Sequence, residues 1–135
     1  VEKYNLENRV ILTGKMPYED IPRLIAASDI CLLPAVDNEV MRYIVPIKMY
    51  EYLAMHKPVI STKLIGVMKE FGQNNGVIYV ERPEDVINKI LKIDNSNIEL
   101  YNMCAEKFIR SYDWSSIVLK FENIMEHLVR GRYKI

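Results

Sequence analysis

Pro46-Ile47-Lys48-Met49-Tyr50-Glu51-Tyr52-Leu53-Ala54-Met55-His56-Lys57-Pro58-Val59-Ile60 reads as a helix that runs directly into a buried strand. A proline is tolerated in the first helical turn, where its missing N–H would have no partner in any case, so Pro46 opens the helix. Ile47, Tyr50 and Ala54 then recur at three and four residues, and Met49 and Leu53 widen the same apolar stripe. Lys57-Pro58 ends the helix, because the residue before a proline is pushed out of the helical region. Pro58 to Thr62 is the predicted strand.

Outward from this unit the punctuation repeats. Val10 to Thr13, stopped by Gly14, and Ile30 to Leu33, stopped by Pro34, read as buried parallel strands. Between them Ile21, Leu24, Ile25 and Ser28 keep helical spacing, with Asp20 as N-cap and Pro22 in the first turn. Ala35 to Val45 lacks periodicity and reads as a loop beyond a strand's carboxyl end. A short helix over Val67 to Phe71, the turn Asn74-Asn75-Gly76 and a fourth strand over Val77 to Val80 follow. From there the pattern is all helix: Pro83 to Ile93, Asn97 to Tyr112, and Trp114 to Arg130, the last with Ile117, Phe121, Ile124, Met125 and Leu128 along one face. The expected fold class is α/β, a partial Rossmann-like doubly wound parallel sheet of about four strands followed by C-terminal helices, with residues 1–135 as one domain.

Composition narrows the function classes. With half of its 135 residues hydrophobic and 27% charged, the chain has the make-up of a folded domain with a real core. Eighteen basic side chains balance eighteen acidic ones, so there is no global field to hold a nucleic acid by counterion release, and any anion must be bound locally. Cys31 and Cys104 lie far apart in apolar stretches, which fits a reduced, cytosolic protein. No apolar run approaches the roughly 20 residues needed to cross a bilayer. His56 and His127 have no ligand-spaced partners, so neither a metal site nor a catalytic triad is expected. The absence of GxxxxGK[ST] and GxGxxG argues against a P-loop nucleotidase and a dinucleotide oxidoreductase.

In open parallel sheets, ligands bind beyond the carboxyl ends of the strands. The loop after Pro34 leads into the helix at Pro46, whose first amides are free donors for an anion. Ile47 and Lys48 supply two of those N–H groups, and the Lys48 ammonium adds charge at the same end. Glu51 lies three residues on, on the same face, with two acceptor oxygens suited to paired hydroxyls. The bland alternative is an i,i+3 surface ion pair between Lys48 and Glu51. Tyr50 belongs to the core stripe, and Lys63 after the third strand is expected to face water. Trp114, beside Ser111 and Asp113, reads as a helix-start anchor.

The quoted segment resembles the donor-binding signature of the group-1 retaining glycosyltransferases, in the variant form P-x-K-x-x-E-Y-x-A-x-G-x-P-V. Val10 to Lys15 is similar to that family's V-x-x-x-G turn, Ala27 to Pro34 to its A-x-D-v-x-l-x-P strand, and Ser111 to Phe121 to its closing helix with an S-x-x-W start. The resemblance implies a GT-B enzyme that moves a sugar from a nucleoside-diphosphate sugar to a glycan, lipid or polysaccharide-precursor acceptor. It implies Glu51 at the ribose, Ile47 and Lys48 at the diphosphate, and Gly14, Lys15 and Met16 beside the base. It also implies a separate N-terminal acceptor domain, no cofactor beyond the donor substrate, and work at the inner face of a membrane as a peripheral protein.

Two departures modify that expectation. The position eight residues before Glu51, a second glutamate in many family members, is Tyr43, leaving Tyr43 and Arg42 as candidate contacts to the donor sugar. His56 stands where the family has glycine, at a helix end that calls for positive φ. Two further strands and a basic loop that precede the V-x-x-x-G turn in the family do not occur, so the chain is expected to be a truncated enzyme, inactive alone. The alternatives are a non-catalytic Rossmann-like nucleotide-binding or regulatory module, and a degenerate transferase that retains binding without turnover.

Overall fold

The computed structural model describes residues 1–132. Three strands form one parallel sheet in the order β1-β2-β3: β1 (Cys31–Leu33), β2 (Val59–Thr62) and β3 (Val77–Val80). Cys31 is in register with Val59, and Val59 with Val77. The helices are α1 (Ile21–Ala26), α2 (Lys48–Ala54), α3 (Ile65–Phe71), α4 (Val86–Ile90), α5 (Asn95–Ile109) and α6 (Trp114–Arg132).

Every residue of β2 is buried, as expected of a central parallel strand covered on both faces. The two-residue side-chain period divides the core. Val59 and Val77 point with Met49, Leu53, Val67, Phe71 and Ala105 into one cluster, built mainly by α2, α3 and α5. Ile60 and Ile78 point the opposite way, to Val86, Ile90 and Tyr101. The result is an α/β arrangement consistent with a Rossmann-like layout, with three strands rather than four.

The missing fourth strand is the main correction. Val10 to Thr13 has no ladder partner, and Ile11 and Leu12 are 87% and 80% exposed. A β-branched run becomes a strand only when a neighbour supplies its hydrogen bonds, and β1 pairs with β2 alone. The quoted helix is also shorter than expected. Pro46 and Ile47 form a lead-in turn, accepting from the N–H groups of Met49 and Tyr50 at 3.0 Å, and α2 proper starts at Lys48. Asp20 does not cap α1 through its side chain; it pairs instead with Arg23 at 3.3 Å. Pro83 to Ile93 divides into a 3-10 turn, Pro83–Asp85, and the short α4.

The end of α2 follows expectation closely. His56 has φ 54°, its N–H donates to Leu53 C=O at 2.9 Å, and Lys57 N–H donates to Tyr52 C=O at 3.0 Å. This double closure satisfies the last carbonyls, and a non-glycine residue holds the left-handed position at a cost of about 1 kcal/mol. Asp94 caps α5 by accepting from Asn97 N–H at 2.8 Å, and Asp113 caps α6 by accepting from Ser116 N–H at 2.8 Å. Trp114 does not anchor that helix start: it is 81% exposed.

Candidate functional site

The turn after β1 and the start of α2 are held by local hydrogen bonds. Thr62 Oγ1, at the end of β2, accepts from Ala35 N–H at 3.0 Å and ties the exit of β1 to its neighbour. Asn38 Oδ1 accepts from Val40 and Met41 N–H at 3.0 and 2.8 Å, which curls the loop into a turn over Met41–Tyr43. That turn presses on α3 at Gly66, where an added Cβ would sit 2.5 Å from the Tyr43 carbonyl oxygen. Only glycine fits so close a backbone approach.

Three cavities meet around α2. One, of about 410 Å³, lies beyond the carboxyl ends of β1 and β2, between Pro34, Ala35, Ser61 and Leu64 and the start of α2 at Ile47 and Lys48. A second, of about 330 Å³, lies between α1 and the free edge of β1, with Leu24, Leu32, Lys48, Glu51 and Tyr52 in its wall. The third, of about 880 Å³, opens between α2 and the α5–α6 turn, lined among others by Ile47, Tyr50, Glu51, Glu70 and Trp114. Each pair of cavities shares one residue: Ile47 joins the first and third, Lys48 the first and second, and Glu51 the second and third. The three residues singled out in the sequence around the start of α2 thus form one ridge.

Among the described residues, Lys48 and Glu51 do not form an ion pair with each other; the i,i+3 and i,i+4 pairs are Arg23–Asp20, Arg82–Asp85, Arg110–Glu106 and Arg130–Glu126. Neither Lys48 nor Glu51 is in an ion pair with any other group among the described residues. Beside the ridge, burial holds the Tyr52 hydroxyl above its usual range, with Cys31 and the Glu51 carboxylate adding to the effect.

The other candidates lie apart from the ridge. Arg42 and Tyr43 sit on the loop whose neighbours Met41 and Ile44 line the strand-end cavity, but neither lines it. Arg42 is held by Asp37 through Nε–Oδ1 at 2.9 Å and Nη2–Oδ2 at 3.4 Å, which keeps its guanidinium pKa up; Tyr43 is exposed. Gly14, Lys15 and Met16 line none of the three cavities, although Gly14 has the φ of 63° that its turn requires. Their segment leads into α1, which walls the second cavity. Lys63 pairs with Glu81 across the sheet's end. Among the described residues, no group of three or more His, Cys, Asp or Glu side chains is placed to hold a metal ion, and no helix is long and apolar enough to cross a membrane.

Sequence reasoning missed the support behind α2. Tyr50 O–H donates to Glu70 Oε1 at 2.5 Å, and the Tyr50 ring packs on Phe71 and Tyr112 at centroid distances of 5.0 and 5.5 Å. Burial first, and the Glu70 carboxylate second, raise the Tyr50 hydroxyl pKa. Residues 20 apart give no local signal of such a contact.

Comparison with known proteins bears on the chain as a whole. A family model described as "Glycosyl transferases group 1" matches residues 1–95. A Bacillus subtilis (strain 168) protein, TuaH, named for glycosyl transfer in teichuronic acid biosynthesis, is 30% identical over 125 residues, or 87% of this chain. The chain spans 31% of TuaH's length. The α2 signature, the strand that precedes it and a family match over most of the sequence lead to one assignment: the chain belongs to the group 1 glycosyltransferases.

Proposed function

We propose that the chain is the donor-binding part of a glycosyltransferase that moves a sugar from a nucleoside-diphosphate sugar to a saccharide, lipid or polysaccharide-precursor acceptor. The observation that carries this is the ridge, where Ile47, Lys48 and Glu51 each divide two of three adjoining cavities. A nucleotide sugar is a chain of unlike pieces and calls for adjoining, chemically distinct compartments. Lys48 carries the positive charge where the strand-end cavity meets the α1-side cavity, which suits a diphosphate. Glu51 borders the α1-side cavity three residues along the same face, and its two oxygens accept from the vicinal hydroxyls of a ribose.

The remaining assignments follow from this placement. The base lies on the α1 side, toward Gly14, Lys15 and Met16. The sugar extends past Ile47 toward the loop bearing Arg42 and Tyr43. Positive groups around the diphosphate would stabilise the negative charge that develops on the leaving group as the glycosidic bond breaks. The polysaccharide class of acceptor is extended from TuaH's name, and the acceptor itself would be held by residues outside this chain.

Calorimetric titration of the chain with UDP, GDP and ADP tests the reading. One of them is expected to bind, and the matching nucleoside, lacking phosphates, to bind much more weakly. Glu51→Gln should weaken the nucleotide by about tenfold or more, the scale of one hydrogen bond to a charged group. A 2′,3′-dideoxy nucleotide should bind wild type and Glu51→Gln alike. An equal loss for ribo and dideoxy forms would remove Glu51 from the ribose.

A further inference from the structure

The helix α2 is seven residues long, and the ridge depends on how far that short helix is turned about its own axis. Its two fully buried residues, Met49 and Leu53, are four apart and lie nearly one above the other along the axis. A single line of apolar contact fixes how deeply a helix sits and leaves its rotation loosely defined. No side chain caps the start of α2. Counted round the helix from Met49, Tyr50 stands at about 100°, Glu51 at about 200° and Lys48 at about 260°. Tyr50 is thus the step between the buried line and the ridge. Tyr52 flanks the other side at about 300°, where it packs against the core without a side-chain hydrogen bond among the described residues.

Tyr50 is held by a directional contact. Its hydroxyl donates to Glu70 Oε1 of α3 at 2.5 Å, and hydrogen bonds to a carboxylate are stronger and more demanding of geometry than apolar packing. Glu70 is half-buried and in no ion pair among the described residues. Tyr112, in the turn before α6, closes the arrangement by packing on the Tyr50 ring at 5.5 Å and stacking on Phe108 at 4.7 Å. Burial first, and the Glu70 carboxylate after it, raise the Tyr112 hydroxyl pKa as well.

We propose that Glu70 is a positioning residue for the ridge, fixing the rotation of α2 through Tyr50 and with it the places of Lys48 and Glu51. The proposal rests on the donor-binding reading of those two residues. Side-chain tips lie about 5–6 Å from a helix axis, so a rotation of about 10° carries the Glu51 carboxylate by about 1 Å. Such a shift takes a hydrogen bond of ~2.8 Å out of range. Glu70 itself stands on a different helix from the ridge and acts on it only through the tyrosine hydroxyl.

Three variants test this. Tyr50→Phe keeps the ring and removes the hydroxyl, Glu70→Ala removes the acceptor, and Glu70→Gln keeps an acceptor oxygen without the charge. The readouts are calorimetric affinity for UDP, GDP and ADP, and exchange broadening of the Lys48 and Glu51 amide NMR signals in the free chain, which reports microsecond–millisecond motion. Tyr50→Phe and Glu70→Ala should each weaken the nucleotide that binds by about fivefold and broaden those amides, the scale of one lost hydrogen bond. The double variant should be no weaker than either single one, and Glu70→Gln should stay within about twofold of wild type. Unchanged affinity in Tyr50→Phe, even with a lower melting temperature, would make the bond purely structural and overturn the proposal. Weak binding by Glu70→Gln alongside normal binding by Tyr50→Phe would make Glu70 a ligand contact and overturn it too. Wild type that binds none of the three nucleotides would refute the donor-binding reading separately; the amides of Tyr50→Phe would then decide the tether, sharp signals overturning it and broadened ones upholding it.

Discussion

Replacing Gly66 by alanine sets two effects of opposite sign against each other. Gly66 is the second residue of α3, and alanine in a helix interior is favoured over glycine by about 1 kcal/mol, less in the first turn. The new Cβ, however, would lie 2.5 Å from the Tyr43 carbonyl oxygen, 2.7 Å from its carbon and 3.1 Å from the Ile44 oxygen. These are backbone atoms, so no rotamer change relieves the contact, and the loop over Met41–Tyr43 must move. Overpacking of this kind costs about 1–3 kcal/mol, so the clash wins by about 1–2 kcal/mol. Urea unfolding followed by far-UV circular dichroism should show a lower midpoint at unchanged m-value, and the melting temperature should fall by roughly 3–7 °C. Displacing the loop also moves Met41 and Ile44 in the wall of the strand-end cavity, so nucleotide affinity should drop with stability. Gly131→Ala, which meets nothing within 4 Å, is the control and should not destabilise. A Gly66→Ala protein as stable as wild type would refute the close approach of loop and helix.

Three further outcomes are expected. Gly76→Ala combines a φ of 89° with a Cβ 2.6 Å from Ala105 Cβ, and chemical denaturation should show a loss of about 3 kcal/mol or more. The Ser96 hydroxyl, and then the Asn97 N–H, hold the Asp94 carboxyl below its usual value, so this cap is intact above the unfolded-state pKa of about 3.9 and is lost as pH falls through the lower folded value. Amide exchange should show the start of α5 fraying in that acid range, and Asp94→Asn, which keeps a capping oxygen without a titrating proton, should remove the pH dependence. Burial pushes the Cys31 thiol up to about 11 against the opposing charge of Lys57, so iodoacetamide at pH 8 should modify Cys31 only once the chain unfolds; stoichiometric labelling in native buffer would contradict that.

Much of the architecture was legible because it rests on local chemistry. Leu33 and Thr62 end their strands as read, and Val77 to Val80 matches β3 residue for residue. Apolar runs bounded by proline, glycine and asparagine leave little freedom in where such strands lie. The α2 ridge was legible too, since Ile47, Lys48 and Glu51 are close in sequence and a helix brings residues at such spacing together. The positive φ of His56 followed from its place between a helix and Lys57-Pro58. Val10 to Thr13 failed because strand formation is a property of a pair, and its own residues do not say whether a neighbour exists.

By itself, then, the sequence determined most of the alternation of strands and helices, the family, and the nearness of Ile47, Lys48 and Glu51 to one another, because each is written in spacings of a few residues. Tertiary structure alone decided that three cavities meet at those residues, that Arg42 is occupied by Asp37, that Tyr50 reaches Glu70, and that the apolar face of α6 lies open. These depend on distances between elements far apart in the chain, and local propensity carries no information about them.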